Sequence, residues 1–436
     1  MKALLFEGGQ WTGAQLRAQV AGWKNWLRAR GLKPNDRVGV LAFNRPQTVA
    51  LLEACGELGL TLVPFNARLT PAELAPQVAA AAPNLVIADD ALCARIAGAE
   101  PFPQIEPAPD LPFTPAADDQ PLAALFTSGT TGAPALIVLT QGNFRASARA
   151  SGENLGPSPD PRWLLCLPLF HVGGLAMAHR CAQDGGTLIV ERGFDVTRVN
   201  ALLDSKQVTH LSLVPTALDR LLELRTEPFP PTVQAVLVGG GPVPPSLMTR
   251  ARALGLPVLQ TYGLTEACSQ VATERPDQAD GSTAGPALPG LEVRIVEGQI
   301  EVRGPTVAAQ FGSGWLQTKD LGSLDARGRL TVLARRTDLI VTGGENVYPA
   351  ELERVLGEHP SIREIALGAR ADPHWGQVPV AVVVWRSAPV AEEALVSWCR
   401  SRLAAFKVPR VFIGTAALPR NANGKVDRAA LRALIA

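Results

Sequence analysis

The run Thr127-Ser128-Gly129-Thr130-Thr131-Gly132 follows an apolar stretch at 122–126. Its glycines let the backbone approach a ligand closely, and the exposed N–H groups of such a turn cradle an anion. Ser128, Thr130 and Thr131 add hydroxyl donors, a composition that suits a polyphosphate. It is not a Walker loop, because GxxxxGK[ST] is absent. Taken alone it reads equally well as an ordinary Ser/Thr/Gly turn. A second run, Thr261-Tyr262-Gly263-Leu264-Thr265-Glu266, also follows an apolar stretch. In open α/β sheets, ligands bind outside the carboxyl ends of the strands. A glutamate placed there can hold Mg²⁺, which takes one or two carboxylates and completes its shell with phosphate and water. Thr265 offers a hydroxyl to a phosphate and Tyr262 a flat face to a base. Without the other motifs, Glu266 reads as the first-turn acid of a helix.

Four further segments carry polar groups in turn-like settings. Val238-Gly239-Gly240-Gly241-Pro242 follows a third apolar stretch, and Thr318-Lys319-Asp320-Leu321-Gly322 isolates one acid able to bind two ribose hydroxyls. Arg335-Arg336-Thr337-Asp338 precedes Thr342-Gly343-Gly344-Glu345-Asn346-Val347-Tyr348-Pro349, and Asn423-Gly424-Lys425 lies near the C-terminus. Each has a plain reading as a capped turn.

The elements that must position these segments alternate. Helical spacing predicts a helix over 12–30, with Leu16, Val20, Trp23 and Leu27 on one face, Thr12 at its start and Gly31 at its end. Strands are expected at 37–42, 61–65 and 84–88, with helices at 49–58 and after Thr70. A Pro/Asp/Ala-rich stretch at 98–121 reads as a surface linker. Strands resume at 122–128, 162–168, 186–191, 210–215, 234–240 and 257–263, with helices at 216–224 and 245–253 between them. This alternation implies parallel β-α-β units. Near 285 the texture changes: 291–304 reads as two alternating strands around Glu297-Gly298, a hairpin signal of a small antiparallel barrel or sheet. A last unit has helices at 349–356 and 392–403, strands at 363–368 and 378–385, and a short helix after Asp427. The division expected is 1–336 and 337–436.

Composition narrows the class. The chain has 436 residues, with 41 Lys and Arg against 40 Asp and Glu, so neither a basic surplus nor a basic block marks a nucleic-acid partner. Its six cysteines include no CxxC, and its five histidines no HExxH. No apolar run approaches a membrane span, and the start, MKALLFEGGQ, has no signal-peptide core. A cytoplasmic location is expected.

The ordered set of motifs resembles the adenylate-forming superfamily of acyl-CoA synthetases, luciferases and peptide-synthetase adenylation domains, over nearly the whole chain. The resemblance implies a large α/β N-terminal domain, with doubly wound subdomains and a small β-barrel, and a small mobile α+β C-terminal domain. It implies an ATP site from Thr127, Ser128, Gly129, Thr130, Thr131, Gly132, Gly240, Gly241, Pro242, Tyr262, Thr265, Asp320, Arg335 and Lys425, with Mg²⁺ on Glu266. Lys425, Thr265 and Glu266 are the implied catalytic residues. In such enzymes a carboxylate attacks the α-phosphate of ATP, and a thiol, usually of coenzyme A, then attacks the acyl-adenylate. Lys425 would stabilise the charge that develops as two anions meet. Thr337 maps to the hinge, and Gly343 and Gly344 to the path of the thiol. One departure stands out: the superfamily run continues with Pro-Lys-Gly, whereas here Ala135 and Leu136 follow Pro134, which removes one phosphate contact.

Within the superfamily, Leu167-Pro168-Leu169-Phe170-His171-Val172-Gly173-Gly174, the continuation Ala267-Cys268-Ser269-Gln270, and Thr337 in the hinge are similar to the 2-succinylbenzoate–CoA ligases of menaquinone biosynthesis. The acid implied carries two carboxylates. Arg180 would meet the non-reacting one, since its fork makes two parallel hydrogen bonds; a surface arginine is the alternative. His171, Ser269 and Gln270 are the other expected acid-binding residues. Cys268 reads as a packed small residue. Two other readings stay open: a ligase for another aryl or medium-chain acid, and a non-catalytic nucleotide-binding relative. A homo-oligomer is compatible with the chain.

Overall fold

In the computed structural model, which describes residues 1–109, 116–127, 135–241, 243, 245–334, 339–420 and 426–436, the chain divides into two compact units. The first holds Met1–Ala67, Val78–Phe126 and Leu136–Ala334; the second holds Arg68–Gln77, Thr127–Ala135 and Arg335–Ala436.

Apolar strands and amphipathic helices wind the first unit around two largely parallel sheets. One runs in space Ser269–Thr273, Val258–Leu264, Ala235–Val238, His210–Leu213, Arg162–Leu165, Thr187–Val190, Ala3–Phe6 and Gly9–Thr12. The six inner strands are mutually parallel and the two edge strands antiparallel. Strands covered on both faces need no alternation, and Ala235–Val238 and Thr187–Val190 are buried at every residue. The other sheet runs Glu100–Pro101, Leu85–Ala88, Arg37–Leu41, Thr61–Phe65, Pro121–Thr127 and Ala135–Thr140. One apolar cluster, with Trp23, Leu62, Phe144, Trp163 and Leu188 among its members, joins residues of both sheets and their helices. The small β element is a four-stranded antiparallel meander of Glu292–Val296, Gln299–Arg303, Leu316–Leu324 and Leu330–Ala334. Its first turn places Glu297 at φ 50° and Gly298 at φ 80°, the left-handed pair a two-residue hairpin requires.

Three features go beyond what the sequence pattern announces or depart from it. The first residues form strands: Ala3–Phe6 lies parallel to Thr187–Val190. Strand Ala135–Thr140 leads into an additional helix, Gln141–Leu155, whose start is capped reciprocally by Thr140 and Asn143. The linker runs over the surface among its described residues, but it is pinned there: the half-buried Phe102 and Ile105 lie against the core, and a Cβ on Gly22 would sit 2.3 Å from the carbonyl oxygen of Glu106.

The second unit is built on the hairpin Ile362–Asp372 and Gly376–Trp385, extended by Ile340–Thr342, Glu345–Val347 and the parallel strand Val411–Gly414. Leu352, Leu356, Leu395 and Cys399, from helices Pro349–Gly357 and Glu392–Arg400, share one core with the hairpin, while Leu431 and Ile435 of Arg428–Ile435 join a second. No helix among the described residues is long and apolar enough to cross a membrane.

Candidate active site

Strands Ala235–Val238 and Val258–Leu264 lie side by side and parallel, so the segments after them emerge at the same sheet edge. Gly239 is required there: a Cβ would come within 2.5 Å of the Thr261 carbonyl oxygen. Gly240 follows at φ 81°, and Gly241 after it is a bend. Thr265 and Glu266 form a short helical turn, Thr265–Ala267, at the end of the neighbouring strand. Glu266 is buried, and its carbonyl accepts the Ala308 N–H at 2.9 Å. The chain then reverses through Cys268 at φ 50° and Ser269 at φ 89°. Two successive non-glycine residues in this region are strained and cost of order 1–3 kcal/mol each. The reversal brings Ser269 so close to Gly263 that a Cβ there would lie 1.9 Å from its carbonyl oxygen. Ser147 secures the turn by donating to the Cys268 carbonyl at 2.8 Å. The Cys268 thiol is fully buried, and burial pushes its pKa up, which makes it packing rather than nucleophile.

Asp320 is positioned from a different sheet. It lies on Leu316–Leu324, is buried, and accepts from the Tyr262 hydroxyl at 2.7 Å. Thr318 donates to the Ile300 carbonyl at 2.7 Å and accepts the Asp320 N–H at 3.1 Å. A tyrosine and an acid 58 positions apart are thus joined by one hydrogen bond. A single carboxylate and a neighbouring hydroxyl, Glu266 and Thr265, form an oxygen-only donor set that suits Mg²⁺ shared with phosphate.

The acid-binding candidates centre on Arg180, on helix Val172–Gln183. Its side chain is 2 % exposed. One guanidinium nitrogen donates to Gln270 Oε1 at 2.6 Å, Nε has no partner, and no carboxylate of the described residues forms an ion pair with it. Burial pulls its pKa down to about 10, although Asp184 favours the charge from a distance. His171 precedes the helix, with its ring edge-on to Phe170 at 4.9 Å. Ser269 is half-buried beside Gln270.

Sequence reasoning missed the groups around this cation. The Arg180 guanidinium lies 5.1 Å from the centroid of the Trp163 ring, and His210 stacks on Trp163 at 4.7 Å. Burial, and then Arg180, pull the His210 pKa down to about 4. Trp163 and His210 are register partners on adjacent strands, a relation that no local spacing reveals.

The remaining candidates fall elsewhere. Thr127 ends strand Pro121–Thr127. Ser128, Gly129, Thr130, Thr131, Gly132, Pro242, Arg335, Thr337 and Lys425 lie outside the described residues. Gly343 and Gly344 form a hairpin turn in the second unit, at φ 55° and 81°. The Gly343 N–H donates to the Trp375 carbonyl at 2.8 Å, and a Cβ on Gly343 would come within 2.7 Å of the Trp375 ring.

The AMP-binding enzyme family matches residues 1–311, and the AMP-binding enzyme C-terminal domain matches 351–425. The 2-succinylbenzoate–CoA ligase of Bacillus velezensis is 38% identical, over 99% of this chain and 95% of its own. Among solved structures, a double mutant of the Bacillus subtilis o-succinylbenzoate CoA synthetase, bound with a product analogue, superposes with a TM-score of 0.92. It is 34% identical and covers 99% of this chain and 95% of its own. The same B. subtilis synthetase with ATP and magnesium gives a TM-score of 0.73 at 34% identity, covering 98% of this chain and 96% of its own.

Proposed function

The chain belongs to the AMP-binding enzymes, and from that premise we propose that it is an ATP-dependent acid–CoA ligase whose acid is 2-succinylbenzoate. The acid's carboxylate oxygen attacks the α-phosphorus of ATP, and pyrophosphate leaves as the acyl-adenylate forms. The sulfur of coenzyme A then attacks the acyl carbon, AMP departs, and 2-succinylbenzoyl-CoA remains, a step of menaquinone biosynthesis. In the first half-reaction, Thr127 and the loop Ser128-Gly129-Thr130-Thr131-Gly132 cradle the phosphates, while Gly240, Gly241, Pro242 and Tyr262 receive the adenine. Asp320 and Arg335 hold the ribose. Lys425 stabilises charge at the α-phosphate, where preorganised cations act most strongly. Thr265 meets the phosphate, and Glu266 would hold Mg²⁺, which supplies charge neutralisation to the phosphates when bound. In the second, rotation about Thr337 withdraws Lys425 and brings Gly343 and Gly344 to the thiol path. His171 and Ser269 line the acid site. The cytoplasm, which supplies both ATP and coenzyme A, is its proposed location.

The observation that carries the choice of acid is Arg180: a buried guanidinium with one neutral partner and an unpartnered Nε. Burying a charge without compensation is expensive, and a second carboxylate on the substrate supplies the compensation. A neutral acid leaves the cation uncompensated. The test is a panel of carboxylic acids with ATP and coenzyme A, read as thioester by mass. Thioester from 2-succinylbenzoate in clear preference to mono-acids is expected. A preference for a neutral aryl or medium-chain acid would overturn the choice of acid, and absence of pyrophosphate exchange with every acid would overturn the ligase reading.

A further inference from the structure

Resting on the reading of Arg180 as the site of the acid's second carboxylate, we propose that Gln270 and Trp163 are positioning residues for Arg180: an uncharged clamp that fixes the guanidinium and, by staying uncharged, sets the preference for a diacid.

The orientation of the Gln270 amide follows from a directional chain of hydrogen bonds. The Thr261 hydroxyl donates to the Ala272 carbonyl at 3.0 Å, so its oxygen accepts from the Thr273 hydroxyl at 2.8 Å. The Thr273 hydroxyl, its proton used in this way, accepts from Gln270 Nε2 at 2.9 Å. Amide oxygen and nitrogen are told apart by their network, and this network leaves Oε1 facing Arg180, 2.6 Å from the guanidinium. Antiparallel pairing of Thr261 with Thr273, and of Gly263 with Gln270, builds the chain into the sheet. Both ends of the Gln270 amide are engaged by protein, so its part is to hold Arg180 rather than to meet the acid directly.

Trp163 supplies the other side of the clamp. Its ring takes the guanidinium in a cation–π contact, and His210 stacks on that ring while its Nδ1 lies 2.7 Å from the Thr209 hydroxyl. An amide, an indole and a neutral imidazole steady the cation without cancelling it. A carboxylate in any of these places would act as a resident counter-ion and leave nothing for the substrate to neutralise.

Gln270→Glu tests this by exchanging one NH₂ for oxygen. The measurement is kcat/KM for 2-succinylbenzoate and for 4-oxo-4-phenylbutanoate, the same skeleton without the aromatic carboxylate, in the parent and in Gln270→Glu, Gln270→Leu, Trp163→Phe and Trp163→Leu. The diacid-to-mono-acid ratio should collapse by about 30-fold or more in Gln270→Glu, the scale of losing a buried charge pair. The loss should fall on the KM of the diacid and not on that of ATP. Gln270→Leu should raise the diacid KM but keep a preference for it. Trp163→Phe, which keeps a ring face, should rescue much of what Trp163→Leu loses. A parent that prefers the diacid beside a Gln270→Glu variant with an unchanged ratio overturns the clamp and leaves the choice of acid standing. Equal losses for both acids in Gln270→Glu and Trp163→Leu, the mark of a purely structural role, overturn it too. A parent that prefers the mono-acid overturns the choice of acid itself.

Discussion

Two buried cations, one in each compact unit, are treated in opposite ways. Lys407 in the second unit is enclosed with Glu73 and Glu351, whose carboxylates lie 2.7 and 2.8 Å from its ammonium. Burial opposes its charge, but Glu351 and Glu73 outweigh burial and hold its pKa above the ordinary lysine value. Arg180 in the first unit is buried more deeply and has no such partner, so burial wins and its pKa falls. Lys24, the one other buried lysine or arginine among the described residues, again brings a carboxylate, Glu57 at 2.6 Å. Cations that serve the fold are thus packed with their counter-ions, while the one at the candidate acid site is packed without. On the proposed function, the difference separates a structural charge from a charge reserved for a ligand.

Lys425, proposed to act in the reaction itself, extends the contrast to a third cation, and it carries the largest expected effect. Lys425→Ala should slow adenylate formation by about 10²–10³-fold, the scale of losing one preorganised electrostatic contact. Thioester formation from supplied acyl-adenylate should survive. Pyrophosphate exchange and single-turnover thioester assays measure the two halves separately, and equal losses in both would remove Lys425 from the first step.

The next effect compares the two buried cations directly. Lys407→Met strands Glu73 and Glu351 without their cation and should destabilise the protein by about 3–5 kcal/mol. Arg180→Leu removes a charge that has no counter-ion, and should leave the unliganded protein as stable as before or more so. Denaturant titration without substrate distinguishes them. A large loss from Arg180→Leu would mean that Arg180 is structural after all.

What the sequence made legible is local. Gly239, Gly263 and Glu266 each sit in a short segment at a strand end and Asp320 within one strand, and the steric reason for each glycine is a neighbour within the same few elements. What it hid is long-range. Arg180 and Gln270 were expected at the acid site, but Trp163 and His210 join them only because their two strands are adjacent and the helix of Arg180 packs on the strand of Trp163. Strand Ala3–Phe6 was hidden for the same reason, its partner beginning at Thr187. Helix Gln141–Leu155 escaped because its sequence, rich in Arg, Ser and Gly, shows only a weak apolar stripe, and its cap pairs Thr140 with Asn143 where Glu or Gln is the familiar signal.

The central claim, that Arg180 is left without a counter-ion because the substrate brings one, is tested most directly by the KM of Arg180→Ala for 2-succinylbenzoate and for 4-oxo-4-phenylbutanoate. The account predicts a loss of about 2–5 kcal/mol in apparent affinity for the diacid, little change for the mono-acid or for ATP, and only partial rescue by Arg180→Lys, which lacks the planar fork. Losses of equal size for the two acids would contradict it.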